Sequence, residues 1–447
     1  MRDIVVVGGG VAGLVAAWAA RDADVLLLEK EQRVGGRLRS ERRGRYWLNW
    51  GAHVLAGPGS ATDVLIGTLG LRAVAVPGKL DAVAMNGRML AGGRVETYPF
   101  RIPMSWGARL AALRAGARVR TAVVRYGRML ARAQGQDYWL RQQLVLDFMG
   151  ASSFREFVGS LPEDADALLR PTVTRSGGEP EEISAGAGIG YFRLVWNRGE
   201  GLSRNILGGS ATLSEALAAR LQGRVLLGAE VTTVALGADH VEVVYANASG
   251  SQASVRARYV VMATPAPVTL KLVRPLPTDL ARTLERIVYG PYVSAAFLTS
   301  EGGAAPWDDC YAIATPKRSF NVFFNMSSAI RGMERERSPG SSIMVFSPAR
   351  LARALLDRDD REIIAIYLAD LDQLFPGFSA LVSEAQIQRW PLGLAYCFPG
   401  RGALQGALLR PRAQFALAGD YLGNFYTETA VQSGLRAARL ALAEVGA

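Results

Sequence analysis

"DIVVVGGGVAGLVAAWAARDADVLLLEKE" spans Asp3 to Glu31, and the rest of the chain is best read outward from it. Ile4 to Val7 is a short β-branched run, the pattern of a parallel strand buried on both faces. Gly8, Gly10 and Gly13 follow in the G-x-G-x-x-G spacing. The first serves a tight turn, the second lets backbone approach a pyrophosphate, and the third lets a helix lie close on the strand. A helix predicted from about Val11 to Arg21 turns its first N–H groups, with Val11 and Ala12 at its start, and its positive dipole end toward the phosphates. Val25 to Leu28 reads as the next strand, ending at Glu29 with Lys30 just beyond. Glu29 stands at the distance from the first glycine at which a carboxylate reaches ribose hydroxyls.

An acid at that place argues against a 2′-phosphate and leaves FAD or NAD as the dinucleotide. The next stretch, "EKEQRVGGRLRS" (Glu29 to Ser40), separates the two. With Arg33-Val34-Gly35-Gly36-Arg37 it resembles the flavoprotein superfamily of monoamine oxidases, protoporphyrinogen oxidases and phytoene desaturases. The resemblance implies FAD, with Gly35 and Gly36 running along its diphosphate and Arg37 neutralising phosphate charge. Glycines there permit backbone N–H contact with an anion, and an arginine gives a charge-assisted partner.

Three further blocks extend the resemblance along the chain. "NILGGSATLSEALAARLQGRVLLGAEVTTVAL" (Asn205 to Leu236) reads as a helix over Thr212–Leu221, a strand over Val225–Leu227, and then Glu230-Val231. By resemblance the Val231 backbone reads the adenine edge. "YVVMATPAP" (Tyr259 to Pro267) is an apolar strand that ends at the Ala263-Thr264-Pro265 turn, where proline stops the ladder. A last strand over Phe415–Ala418 leads into "LAGDYLGNFYTETAVQSGLRAA" (Leu417 to Ala438), with the Gly419–Asp420 turn and a helix from about Thr429. The resemblance implies that Asp420 bonds the ribityl chain. It also implies that the helix start, Thr429 and Ala430, faces the flavin pyrimidine ring.

The expected fold is therefore α/β: a Rossmann-like FAD-binding domain with a mixed sheet of the glutathione-reductase type, plus an inserted α+β substrate domain. Segments 1–75, 205–275 and 395–447 are assigned to the cofactor domain, and 76–204 and 276–394 to the substrate domain. A chain of 447 residues supports two such lobes, and 49% hydrophobic with 20% charged residues is a globular composition.

The net charge of +11 is almost all arginine, since Lys30, Lys79, Lys271 and Lys317 are the only lysines. Two cysteines make no disulfide framework, and two unclustered histidines make no zinc site. The opening "MRDIVVV" leaves no room for a signal peptide, so a cytoplasmic setting is expected. The uncharged run Ile4–Ala20 is short for a membrane span, and its glycines are accounted for by the nucleotide turn.

"FRIPMSWGARLAALRAGARVRTAVVRYGRMLARAQ" (Phe100 to Gln134) interleaves arginines with Trp106, Leu110, Leu113 and Val119, and contains no acid. It reads as a pair of basic amphipathic helices over about 101–135. They either cover the substrate lobe with solvated arginines or rest peripherally on the anionic inner face of a membrane. No motif for nucleic acid accompanies the charge.

For chemistry, the superfamily's subclasses differ in a few residues. Its amine oxidases carry a lysine on the strand after the Ala-Thr-Pro turn. Here that position falls near Ser294, and neither Lys271 nor Lys317 lies on that strand. Those relatives also hold the amine between two aromatic walls. Tyr426 matches one, and the other falls at Ala395 or Tyr396. Trp390, Tyr396, Phe398, Tyr421 and Tyr426 are candidates to line an apolar pocket or are in part simply core, and His53 in "NWGAHVL" either approaches flavin or substrate or is a hydrogen-bonded structural residue. Cys397 lies near a position of covalent flavin attachment in some relatives, but reads as a buried inert thiol.

The leading expectation is dehydrogenation of a lipophilic small molecule, isoprenoid-like or tetrapyrrole-like, by hydride transfer to flavin. The alternatives are an amine or amino-acid oxidase, and a flavin-dependent isomerase or dehydroxylase without net redox change. Oligomeric state is not legible.

Overall fold

Ile4, Val5 and Val6 have no solvent exposure because their strand, Arg2–Val7, is paired on both edges. Val25–Glu29 runs parallel on one side and Gln252–Met262 parallel on the other. The computed structural model describes residues 1–76, 82–196, 202–424 and 426–446. Among these residues an eight-stranded mixed sheet runs in the order Val225–Leu227, Val25–Glu29, Arg2–Val7, Gln252–Met262, Val241–Ala246, Glu230–Leu236, Val273–Arg274. The eighth strand, Phe415–Leu417, lies parallel beside Gln252–Met262 through Met262 and Leu417.

The fold is the Rossmann-like α/β arrangement expected from the sequence, with some elements of different length. Gln252–Met262 has eleven residues where only its apolar end, Tyr259 to Met262, was expected as a strand. Its first half alternates exposed and covered positions because it pairs antiparallel with Val241–Ala246, and that half lacks a continuous apolar run. The helices are Val11–Ala19 and Ala211–Ala219, and the last one, Thr427–Val445, starts two residues earlier than expected.

The last helix lies directly on the first. Gly434 sits against the Ala12 carbonyl so closely that any side chain there would collide. Leu14, Val15, Ala437, Ala438 and Ala441 share one core on that side of the sheet. Val234, Val243, Val260 and Leu284 share another on the opposite side.

A second sheet of seven strands runs in the order Val382–Ala395, Tyr289–Thr299, Ser342–Pro348, Val322–Asn325, Ala312–Ala314, Ala82–Met85, Arg88–Leu90. Alternation along the strands gives it two faces. Val293, Phe297, Phe323 and Val345 pack under the helix Asp360–Leu374 with Ile363, Tyr367 and Leu371. Tyr292, Phe324, Met344 and Phe346 face the other way, with Tyr311.

The basic stretch forms one continuous helix, Trp106–Arg132, preceded by a single short turn, Tyr98–Arg101, where a pair of helices was expected. No proline follows Pro103 to break it, and Ser105 caps its start by accepting from Ala108 N–H at 3.2 Å. Ala108, Ala112, Ala115, Val119, Ala122, Val123 and Tyr126 form its buried stripe. The arginines lie on the remaining faces. Among the described residues no helix is long and apolar enough to cross a membrane.

Candidate active site

The first glycine turn is shaped by contacts that no side chain could share. Gly8 has φ +106°, and a Cβ there would stand 2.7 Å from the Ala263 carbonyl oxygen. Gly13 lies against the Gly8 carbonyl, again with no room for a side chain. Gly10 differs. It caps the helix Val11–Ala19 without a side-chain bond, and a Cβ on it would meet nothing within 4 Å. The loop therefore presents an open backbone face beside the first N–H groups of the helix, which have no intrahelical acceptor.

Glu29, nearly buried, stands next to this face. One carboxylate oxygen accepts from Gly9 N–H at 2.6 Å and the other from Glu31 N–H at 2.8 Å. Lys30 turns outward to solvent. The second glycine pair lies alongside, with Gly10 and Gly35 bridged in parallel and Gly35 N–H donating to the Gly9 carbonyl at 2.8 Å.

Arg37 crosses to the other end of the chain. Its two terminal nitrogens donate to the Asp420 carboxylate at 2.7 and 2.8 Å, and one of them also donates to the Gly393 carbonyl at 3.0 Å. Burial opposes the guanidinium charge, but the field and hydrogen bonds of Asp420 outweigh it and hold the arginine firmly protonated.

Gly419 N–H donates to Ser433 Oγ at 2.8 Å, which locks the turn to the last helix. Thr429 is fully buried, its hydroxyl 2.7 Å from the Tyr138 phenol, and Ala430 lies beside it in the core. Glu428 accepts from the N–H groups of Ala61 and Thr62 at 3.0 and 2.9 Å, capping the helix Ala61–Thr68. Val231 is buried on Glu230–Leu236, in the same sheet as Glu29.

An open glycine face, unpaired helix N–H groups, a buried carboxylate and Arg37 suit a diphosphate flanked by sugar hydroxyls. The residues present thus fit FAD. They would hold it along Gly8–Gly13 and Gly35–Arg37 on one side and Gly419–Asp420 on the other.

The five aromatic pocket candidates do not converge. Tyr421 and Phe398 join the core beneath the first sheet, and Trp390 donates its indole N–H to the Trp50 carbonyl at 3.1 Å. Tyr396 and Cys397, one residue apart, take opposite sides. Tyr396 packs near Gly178 in the helical lobe, while Cys397 reaches Leu146, Tyr191 and Tyr426. Burial raises the Cys397 thiol pKa to about 11. Ala395 and Ser294 are both buried.

Tyr426 stands just before the last helix, without a side-chain cap bond, and meets Tyr191 at a ring distance of 6.0 Å. Tyr191 and Tyr292 both donate to the Arg175 carbonyl, at 3.1 and 2.6 Å. Tyr292 also lies against Gly393, whose carbonyl takes the bond from Arg37. A chain of contacts through Tyr426, Tyr191, Arg175 and Tyr292 thus leads from the last helix to the face of the second sheet that carries Phe324 and Phe346.

Tyr191, Tyr292 and Arg175 were not among the residues expected from the sequence. The one signal pointing to them is the Gly177–Gly178 pair, which lets the chain after Arg175 press against Gly290 and Tyr396. His53 lies near Phe324, ring centroids 4.7 Å apart. Its Nδ1 meets the Gly51 carbonyl at 3.1 Å, so that nitrogen carries the proton. Burial, with a smaller contribution from the charge of Arg175, pulls its pKa down to about 4.

Residues 11–442 match the family of flavin containing amine oxidoreductases. The flavin-containing amine oxidase A of Bos taurus is 27% identical over all of this chain and 86% of its own length. A 15-cis-phytoene desaturase of Synechococcus elongatus is 30% identical over 28% of this chain and 27% of its own length. Among solved structures, putrescine oxidase bound to putrescine superimposes with a TM-score of 0.77 at 18% identity, over 99% of both chains. Cyclohexylamine oxidase from Brevibacterium oxydans IH-35A does so with a TM-score of 0.77 at 19% identity, over 100% of both. The chain belongs to the flavin containing amine oxidoreductase family and is an FAD-dependent oxidoreductase.

Proposed function

We propose that this chain oxidises an amine in the space between the glycine cradle and the wall of Tyr426, Tyr191 and Tyr292. What carries this is the Tyr191–Tyr426 pair, two aromatic rings 6.0 Å apart at the N-terminal end of the last helix. Aromatic faces hold the hydrocarbon part of an amine and keep water out. The whole-chain likeness to amine oxidases supports an amine over the apolar substrate first expected, since the desaturase likeness covers 28% of the chain. Cofactor binding falls to segments 1–75, 205–275 and 395–447, and substrate binding to 76–204 and 276–394, with Tyr426 and His53 contributed to the substrate wall by the cofactor segments.

Bound FAD supplies the two-electron acceptor for hydrogen removed from the carbon bearing nitrogen. The protein's part is to orient that carbon, exclude water and hold His53 neutral. The imine product takes up water to give a carbonyl compound and ammonia or a smaller amine, and dioxygen leaves as hydrogen peroxide. Anaerobic mixing of the holoenzyme with primary and secondary amines tests this. Bleaching of the flavin band is expected, and bleaching only by isoprenoid or porphyrinogen substrates would overturn it. Turnover without bleaching would point to the isomerase alternative.

A second feature concerns surroundings rather than chemistry. Phe100, Trp106 and Leu110 are 60%, 77% and 49% exposed at the start of the basic helix, and the Arg109 guanidinium lies 4.5 Å over the Trp106 ring. Apolar side chains rimmed by arginine match an anionic lipid surface. Co-sedimentation with anionic vesicles at low salt, lost in Trp106→Ser with Phe100→Ser, is the expected result. Equal binding by the variant would remove the idea.

A further inference from the structure

Arg175 is a cation without a counter-charge. Its neighbours Thr174 and Ser176 are buried, and its own carbonyl accepts from Tyr191 and Tyr292. Arg175 is half-buried, desolvated by the surrounding protein while keeping some accessible surface. Among the described residues its guanidinium donates to no acceptor and pairs with no carboxylate, and its Nε is both buried and unpartnered. Burial lowers its pKa to about 10, opposed only by the phenols of Tyr191 and Tyr292, so it stays charged at neutral pH. An uncompensated interior cation costs several kcal/mol, a cost that a bound anion removes.

Two neighbours say where that anion sits. Tyr292 donates to the Arg175 carbonyl at 2.6 Å and packs against Gly393, whose carbonyl takes a bond from Arg37, so the Arg175 segment adjoins the Arg37 side of the site. His53, 8% exposed, leaves its Nε2 buried and without a partner. Because Nδ1–H donates to a carbonyl, Nε2 is a lone pair that accepts. A donor fork and an acceptor, both unsatisfied by protein, thus stand within reach of each other's charge.

We propose that Arg175 binds a carboxylate on the substrate, with His53 Nε2 accepting from a substrate N–H beside it, so that amines bearing a carboxylate are preferred. The subsite rests on the amine reading for its substrate, but anion binding can be measured without turnover. Benzoate and benzamide have the same shape, and the aromatic wall suits both, so their difference isolates the charge.

Calorimetry on the holoenzyme is expected to show benzoate binding about 100-fold more tightly than benzamide, the worth of a buried charge-assisted bidentate contact. Arg175→Met should erase that difference, and Arg175→Lys should restore part of it, since lysine keeps the charge and loses the fork. In turnover, the kcat/KM ratio of phenylalanine to phenethylamine should fall in Arg175→Met, mainly through KM for the amino acid.

Equal affinity of the wild-type holoenzyme for benzoate and benzamide would overturn the proposal, even if the variants fail to fold. Retained benzoate binding in Arg175→Met would overturn it as well. If no amine or amino acid bleaches the flavin while benzoate still discriminates, the amine reading falls and the anion subsite stands.

Discussion

Asp420→Asn probes the contact that joins the two ends of the chain. The Asp420 side chain is 7% exposed and receives both terminal nitrogens of Arg37, which is 33% exposed. Orphaning one partner of a fully buried pair costs about 3–5 kcal/mol. The partial exposure of Arg37 lets water screen its charge, which reduces the expectation for Asp420→Asn to about 2–3 kcal/mol. An unfolding entropy on the order of 0.9 kcal/mol/K for a chain of 447 residues turns that into a fall in Tm of about 2–3 °C for the apoprotein.

Arg37→Met should cost more than Asp420→Asn, because the carboxylate it strands is the more deeply buried partner. The double variant strands no charge and should fall short of the sum of the singles by about 2 kcal/mol. Urea unfolding of the four apoproteins gives the cycle directly. Adding saturating FAD should shrink the Asp420→Asn penalty, since a diphosphate offers Arg37 another anion. Additivity within about 0.5 kcal/mol would refute the coupling, and a penalty unchanged by FAD would refute the role of Arg37 at the diphosphate.

Other consequences can be measured separately. His53 has a folded pKa of about 4 against 6.5 unfolded, so the unfolded chain takes up its proton first as pH falls. Stability is then lost between pH 6.5 and 4, by at most about 3 kcal/mol, and His53→Gln should flatten that part of the Tm–pH profile. Glu428→Ala removes the acceptor from two helix N–H groups and should lower stability by about 1–2 kcal/mol in urea melts. Cys397, with its thiol pKa near 11, should resist thiol reagents at pH 8 in the folded protein. Gly434→Ala forces the last helix off the first and should cost about 1–3 kcal/mol, together with weaker FAD retention in gel filtration.

The glycine turns and Glu29 of the proposed cofactor cradle were legible in the sequence because each of their structural demands falls on one residue and its near neighbours. Gly8 must tolerate a positive φ, Gly13 must carry no side chain, and Glu29 must end a strand. Such demands leave marks at fixed spacing. The tyrosine wall proposed for the substrate leaves no such marks beyond the Gly177–Gly178 pair. Tyr191, Tyr292 and Tyr426 come from a helix, a strand and a cap, and what brings them together is packing.

Tyr396 and Cys397 show the same limit on a small scale. Adjacent residues face different cores, and which one faces Tyr426 depends on where the strand Val382–Ala395 stops. The basic stretch was legible as helical and amphipathic. Its continuity was not, since Gly107, Gly116 and Gly127 could each have marked a break.

The bond between Arg37 and Asp420 spans 383 positions of sequence, and this has a bearing on how the protein is made. At about 5–20 residues per second, a ribosome delivers the arginine roughly 20–80 s before its partner. During that interval the first glycine turns exist without the strand, turn and helix that complete their enclosure. Coenzyme loading therefore follows synthesis, and every molecule passes through an empty, folded or part-folded stage. A cell short of riboflavin would accumulate that stage, with Arg37 and Asp420 paired across its seam beside the packed first and last helices.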